Sequence, residues 1–160
     1  MKRMTSVFLL ALFPVIVQAG WWSVGLDADP FINGASIRFV SSSGFGLQAI
    51  GNIYYPLKGN PSWIYGLRAA KFFFPESRTR PYIGTCIIGG KDWNISYISG
   101  TKFLGWAALV GVEAVLIQAA PITKPGKSPR WISVGFETVY GIVPSEYAGL
   151  VAGVNVHYNW

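Results

Sequence analysis

His157 is the only histidine in the 160-residue chain, so a Ser–His hydrolase or a histidine-held metal would have to use it. It lies in the final stretch "GVNVHYNW". There, alternation sets Gly153, Asn155, His157 and Asn159 on one side of an extended strand, and Val154, Val156, Tyr158 and Trp160 on the other. Ser23 and Asp27 share one side of the first extended segment, which in a closed sheet would neighbour the last. The residue types of a Ser–His–Asp relay are therefore present. A histidine bonded to an enclosed acid is the simpler use of the same residues. Arg38, Arg68, Glu113 and Glu137 join Asp27 and His157 in a set of three acids and two arginines spread over several segments. Opposite charges enclosed together can satisfy one another without water. A narrow path opened by exchange of ion-pair partners is the alternative use. Nothing has the spacing of a phosphate loop or a zinc site, so no cofactor, metal or catalytic residue is expected.

Eight extended segments must position these side chains: 21–28, 35–40, 45–55, 63–74, 81–90, 103–117, 131–142 and 148–160. Clusters rich in Gly, Pro, Asn and Ser separate them, from "DPFING" to "VPSE". Most segments alternate cleanly. In the first, Trp22, Val24, Leu26 and Ala28 oppose Ser23, Gly25 and Asp27. In the sixth, Leu104, Trp106, Ala108, Val110, Val112, Ala114 and Leu116 oppose Gly105, Gly111 and Glu113. The second segment is short. The fifth, "YIGTCIIGG", is apolar on both faces and has no readable phase. Lys71 breaks the apolar face of the fourth, which predicts either a snorkelling side chain at a membrane rim or a bulge.

Residues 1–19 read as a cleaved export leader. Lys2 and Arg3 precede an eleven-residue apolar run, Val7 to Val17, and Val17-Gln18-Ala19 offers a cleavage site before Gly20. The run is shorter than the roughly 20 residues a helix needs to cross a bilayer. Residues 20–160 then form one domain, with 11 basic and 7 acidic side chains. Its one cysteine, Cys86, has no internal disulfide partner. Charged residues make up 12% of the chain, about half the usual share of a globular domain, and aromatic residues 16%.

That charge is too sparse for a solvated exterior. Turning the apolar faces outward, to lipid, hides Arg68, Glu113 and Glu137. An outward Arg at the bilayer midplane would cost about 2–4 kcal/mol. The same arrangement gathers Trp22, Phe39, Phe45, Phe73, Tyr158 and Trp160 at one rim, and Tyr55, Trp63, Tyr65, Trp106 and Tyr140 at the other. Two aromatic girdles are a mark of membrane barrels. The stretch "FLGWAALVGVEAVLIQAA" could instead be a lone transmembrane helix, but Glu113 would then sit in mid-span at about 2.5 kcal/mol or more.

On these segments, faces and the terminal aromatic, the chain resembles the small eight-stranded outer-membrane barrels of Gram-negative-type bacteria, the OmpA/OmpX/OmpW-like class. The resemblance implies an all-β, eight-stranded, antiparallel, up-and-down transmembrane barrel in the bacterial outer membrane. It further implies that Val154, Val156, Tyr158 and Trp160 form the signal read by the barrel-assembly machinery, and that no peptidoglycan-binding domain follows. Some barrels of this class modify lipid A, but such a site belongs at the outer leaflet and His157 lies near the opposite end. The expected role is structural or a surface interaction, with the connection at 91–102 as the recognition surface. The alternatives are a narrow pore and, behind it, a lipid-modifying enzyme. Outer-membrane lipids and lipopolysaccharide are the expected partners. Lys58, Lys91 and Lys102 are placed in outer loops beside Asp29, Asp92 and Glu146, and Arg78, Arg80, Lys124, Lys127 and Arg130 in periplasmic turns. The protein is expected to be monomeric, and export excludes nucleic acid.

Overall fold

The structure is a computed structural model and describes residues 20–29, 31–54, 62–91, 103–118, 130–143 and 147–160. The leader, Tyr55, Lys58, most of the 91–102 connection, Lys124, Lys127 and Glu146 lie outside the described residues. The eight strands are β1 (Gly20–Ala28), β2 (Asn33–Ser41), β3 (Phe45–Tyr54), β4 (Ser62–Phe72), β5 (Thr79–Lys91), β6 (Phe103–Gln118), β7 (Trp131–Val143) and β8 (Tyr147–Asn159). Each pairs antiparallel with its chain neighbours, and β8 returns to β1 to close the barrel. Closure extends one residue past the strand, because Trp22 and Trp160 exchange backbone hydrogen bonds of 3.1 and 2.9 Å. At 9–16 residues, every strand is long enough for the 9–11 residues that a tilted strand needs to cross a bilayer.

Two strands differ from expectation in instructive ways. β2 begins at Asn33, two residues early, because Gly34 takes a φ of +146° that a side chain would not tolerate. A Cβ there would stand only 2.2 Å from the Gly51 carbonyl oxygen. β5 begins at Thr79 and carries Pro81 within it. Pro81 has no N–H to donate, but its carbonyl accepts from Phe73 N at 2.7 Å. The register also settles the phase of β5: Arg80, Tyr82, Cys86 and Ile88 point inward, while Ile83 and Ile87 are half exposed on the outside. β6 is a strand of 16 residues with a bulge between Val115 and Ile117, and no described helix is long and apolar enough to span a membrane.

The exterior is apolar along every strand. Leu26, Leu67, Leu104 and Leu150 are 59–69% exposed, an arrangement stable in hydrocarbon and costly in water. Trp22, Phe45, Tyr158 and Trp160 lie at the end that carries Gly20 and Trp160. Trp63, Tyr65, Trp106 and Tyr140 lie at the other. Phe39 is 6% exposed, covered by the Trp22 ring at 5.2 Å. Lys71 points outward without a bulge and donates to the Ser43 carbonyl in the neighbouring turn, so it snorkels.

The interior is layered. Near the termini, Trp21, Trp131 and Arg80 form one layer, and above it lie the polar residues. The far half is apolar: Ile50, Ile64, Ile88, Leu109 and Val139. There the β1–β2 connection folds into the barrel. Phe31 and Ile32 are 2% and 1% exposed. Gly66 and Gly141 make room for them, since a Cβ at Gly66 would meet Ile32 Cδ1 at 2.2 Å and one at Gly141 would meet the Phe31 ring at 2.6 Å. Phe31 and Ile32, from a stretch expected as an outer loop, thus supply an internal plug.

Candidate functional site

The polar layer is built mainly by alternation: every contributing residue but Asp29, which lies in the β1–β2 connection, occupies an inward position of its strand. Two clusters result. In the first, Arg68 on β4 forms a two-pronged bond with Glu137 on β7, Nη2 to Oε1 at 2.9 Å and Nη1 to Oε2 at 3.1 Å. Its guanidinium also reaches Asp27 and Asp29, each at 3.4 Å. Tyr82 donates its hydroxyl to Glu137 at 2.7 Å and accepts from Asn155 at 3.3 Å. In the second cluster, Arg38 on β2 meets Glu113 on β6 at 2.6 Å, and donates to Ser23 at 3.1 Å and to Asn159 at 3.2 Å. Arg80 approaches the other Glu113 oxygen at 3.3 Å. The ion-paired side chains of both clusters are at most 7% exposed. At such burial a guanidinium without carboxylate partners would carry a large desolvation penalty, which the forked geometry offsets.

Asp27, Arg38, Arg68, Glu113, Glu137 and His157 are therefore brought into one enclosed layer, in two groups. Two members were missed. Asp29 was assigned to an outer loop and Arg80 to a periplasmic turn, yet both are buried inside the barrel. Asp29 is inward because its Oδ1 accepts the N–H groups of Phe31 and Ile32, each at 2.8 Å, which turns the chain into the lumen. The signal was the i, i+2 spacing of Asp27 and Asp29. For Arg80, it was the alternation Arg80, Tyr82, Gly84, Cys86, obscured by reading Pro81 as the strand's start.

The residues of the relay are present but do not form one. Ser36 at 3.2 Å, Gln48 at 3.1 Å and Asp27 at 3.7 Å all face the same nitrogen of His157, Nε2. A relay needs the hydroxyl and the acid on opposite ring nitrogens, and Nδ1 has no partner among the described residues. The Gln48 amide nitrogen, which donates to Asp27 at 2.9 Å, also faces Nε2 at 3.1 Å, so Nε2 serves as the acceptor of that contact. Ser23 is held by Arg38 instead. No cluster of three or more His, Cys, Asp or Glu suited to a metal occurs among the described residues. Val154, Val156, Tyr158 and Trp160 line the outer face of the closing seam, each about 40% exposed.

No protein-family model matches the chain, and no curated protein matches it. Among solved structures it is similar to the N-terminal β-barrel domain of Pseudomonas aeruginosa OprF. The identity is 16%, over 88% of this chain and 96% of that one, with a TM-score of 0.56. Neisserial surface protein A (NspA) matches at 14% identity over 88% of this chain and 91% of that one, with a TM-score of 0.34, too low to carry an argument. By its closed eight-strand meander, its apolar exterior and its polar interior, the chain is similar in fold to the small eight-stranded barrels of bacterial outer membranes.

Proposed function

We propose that the protein is a structural barrel of the bacterial outer membrane, exported across the inner membrane and sealed to solutes. The observation that carries this reading is the filled interior. Around Arg38, Gln48, Arg68 and Tyr82 the free volume is about 10 Å³, no more than one water needs. Beyond this layer, Phe31 and Ile32 close the far half. Outer-membrane lipids and lipopolysaccharide are its surroundings, and surface contact falls to the connection at 91–102. The alternating face Val154, Val156, Tyr158 and Trp160 serves the assembly machinery, and the barrel acts as a monomer, without a cofactor or enzymatic activity.

Planar-bilayer recording tests the reading. A sealed barrel gives no unitary conductance steps. One observation supports the alternative of a narrow gated path: Glu113 is shared by Arg38 and Arg80, so an exchange of partners is geometrically available. Under that alternative, steps appear and Glu113→Gln changes their size or open time.

A further inference from the structure

At the end that carries Gly20 and Trp160, the barrel opens into a cavity of about 370 Å³. This lies within the range of small-ligand sites. Arg80 stands at the cavity beside two indoles that pack edge to face on each other at 5.6 Å, its guanidinium 5.1 Å from the Trp21 ring and 5.0 Å from the Trp131 ring. The paired indoles cover one side of the guanidinium and help to fix its position. Nε donates to the Ser77 carbonyl at 2.8 Å and Nη1 to Glu113 at 3.3 Å. Nη2 takes part in neither bond. Arg78, exposed, adds a second cation to the lining, and Ser42 and Gln118 add neutral polar groups. Glu76 is the one acid that lines the cavity.

Two arginines and one acid therefore line the cavity among the described residues. An apolar molecule would leave these donors unmet, and a cation would meet two arginines. We propose that this cavity binds a phosphate-type oxyanion on the free edge of Arg80, with Arg78 as the second contact. A phosphate-type anion suits the site because even a phosphodiester keeps two non-ester oxygens, each able to accept from a guanidinium. The ligand is either a soluble phosphate or the phosphate of a lipid headgroup, and both present the same chemistry. The site shares Arg80 with the Glu113 cluster of the core, but binding on its open side does not require that the barrel conduct.

The test uses the full barrel refolded into micelles of a phosphate-free maltoside detergent, followed by tryptophan fluorescence and by the ³¹P linewidth of added phosphate. In the first arm, inorganic phosphate is titrated against sodium chloride at matched ionic strength. A second arm adds phosphatidylglycerol to the micelles. Saturable phosphate binding in the first arm supports the proposal with a soluble ligand. A response confined to the second arm supports it with a lipid headgroup. Arg80→Lys keeps the charge but loses the planar fork, and should weaken binding at least tenfold. Arg78→Ala lies outside the packed core and should weaken it several-fold while leaving cold gel migration unchanged. If chloride reproduces the phosphate response and added phosphatidylglycerol has no effect, the proposal fails. It fails equally if Arg78→Ala, shown to be folded, binds with unaltered affinity and Arg80→Lys does too.

Discussion

Replacing Arg68 by Met should be among the most damaging single changes in the protein. The side chain is 4% exposed and faces three carboxylates, of Glu137, Asp27 and Asp29. Met fills a similar length without charge, so the variant leaves three buried acids without their shared cation. Removing one partner of a buried pair costs about 3–5 kcal/mol, and with three partners stranded the upper end is expected. At an m-value of about 1–3 kcal/mol/M in urea, the unfolding midpoint should fall by about 2 M or more. Glu137→Gln is milder, about 1–3 kcal/mol, because Arg68 keeps Asp27 and Asp29 and the amide oxygen still accepts from Tyr82. The double variant should cost less than the sum, with a coupling toward the upper end of about 0.5–3 kcal/mol. Urea titration in lipid vesicles, read by the folded band on cold gels, measures all three. A cost below about 1 kcal/mol for Arg68→Met would show that water reaches these groups and screens them, and the sealed interior would have to be abandoned.

Further outcomes follow from the same packing. Gly141→Ala should destabilise by about 1–3 kcal/mol, because its Cβ would collide with the Phe31 ring. In a Phe31→Ala background, itself costly, the same change should cost far less, as a double-mutant cycle of urea midpoints would show. Leu67→Arg, on the outer face and 62% exposed, should cost about 2–4 kcal/mol in vesicles if it meets the bilayer midplane. An unchanged midpoint would place that face elsewhere. Tyr82→Phe leaves a lone pair of Glu137 and an Asn155 donor unmet, and should cost about 1–3 kcal/mol without altering the β-type circular dichroism spectrum.

The barrel was legible in the sequence because side-chain direction in a strand has a period of two. Seven segments carried enough contrast between faces to show it. β5 did not, since its inward Tyr82, Cys86 and Ile88 are as apolar as its outward Ile83 and Ile87. Only pairing with β4 and β6 assigns its phase. Six of the eight Asp, Glu, Arg and His residues buried in the core were readable from the same alternation; Asp29 and Arg80 were not. The partners of the six were not readable, because alternation tells which way a residue points and not how far along the barrel it sits. Stagger between strands decides that Arg38 meets Glu113 and that Arg68 meets Glu137. The inward fold of the β1–β2 connection rests on Asp29 capping two backbone N–H groups and on two distant glycines. No local pattern connects "DPFING" with Gly66 or Gly141.

The central claim, a closed barrel with its apolar face to lipid, is tested most directly by refolding the protein from urea into lipid vesicles. Cold and boiled gel migration would then be compared, with far-UV circular dichroism on the same sample. The structure predicts a heat-modifiable band and a β-type spectrum that both require lipid or detergent. A helical spectrum, or a folded protein that stays in solution without either, would contradict it.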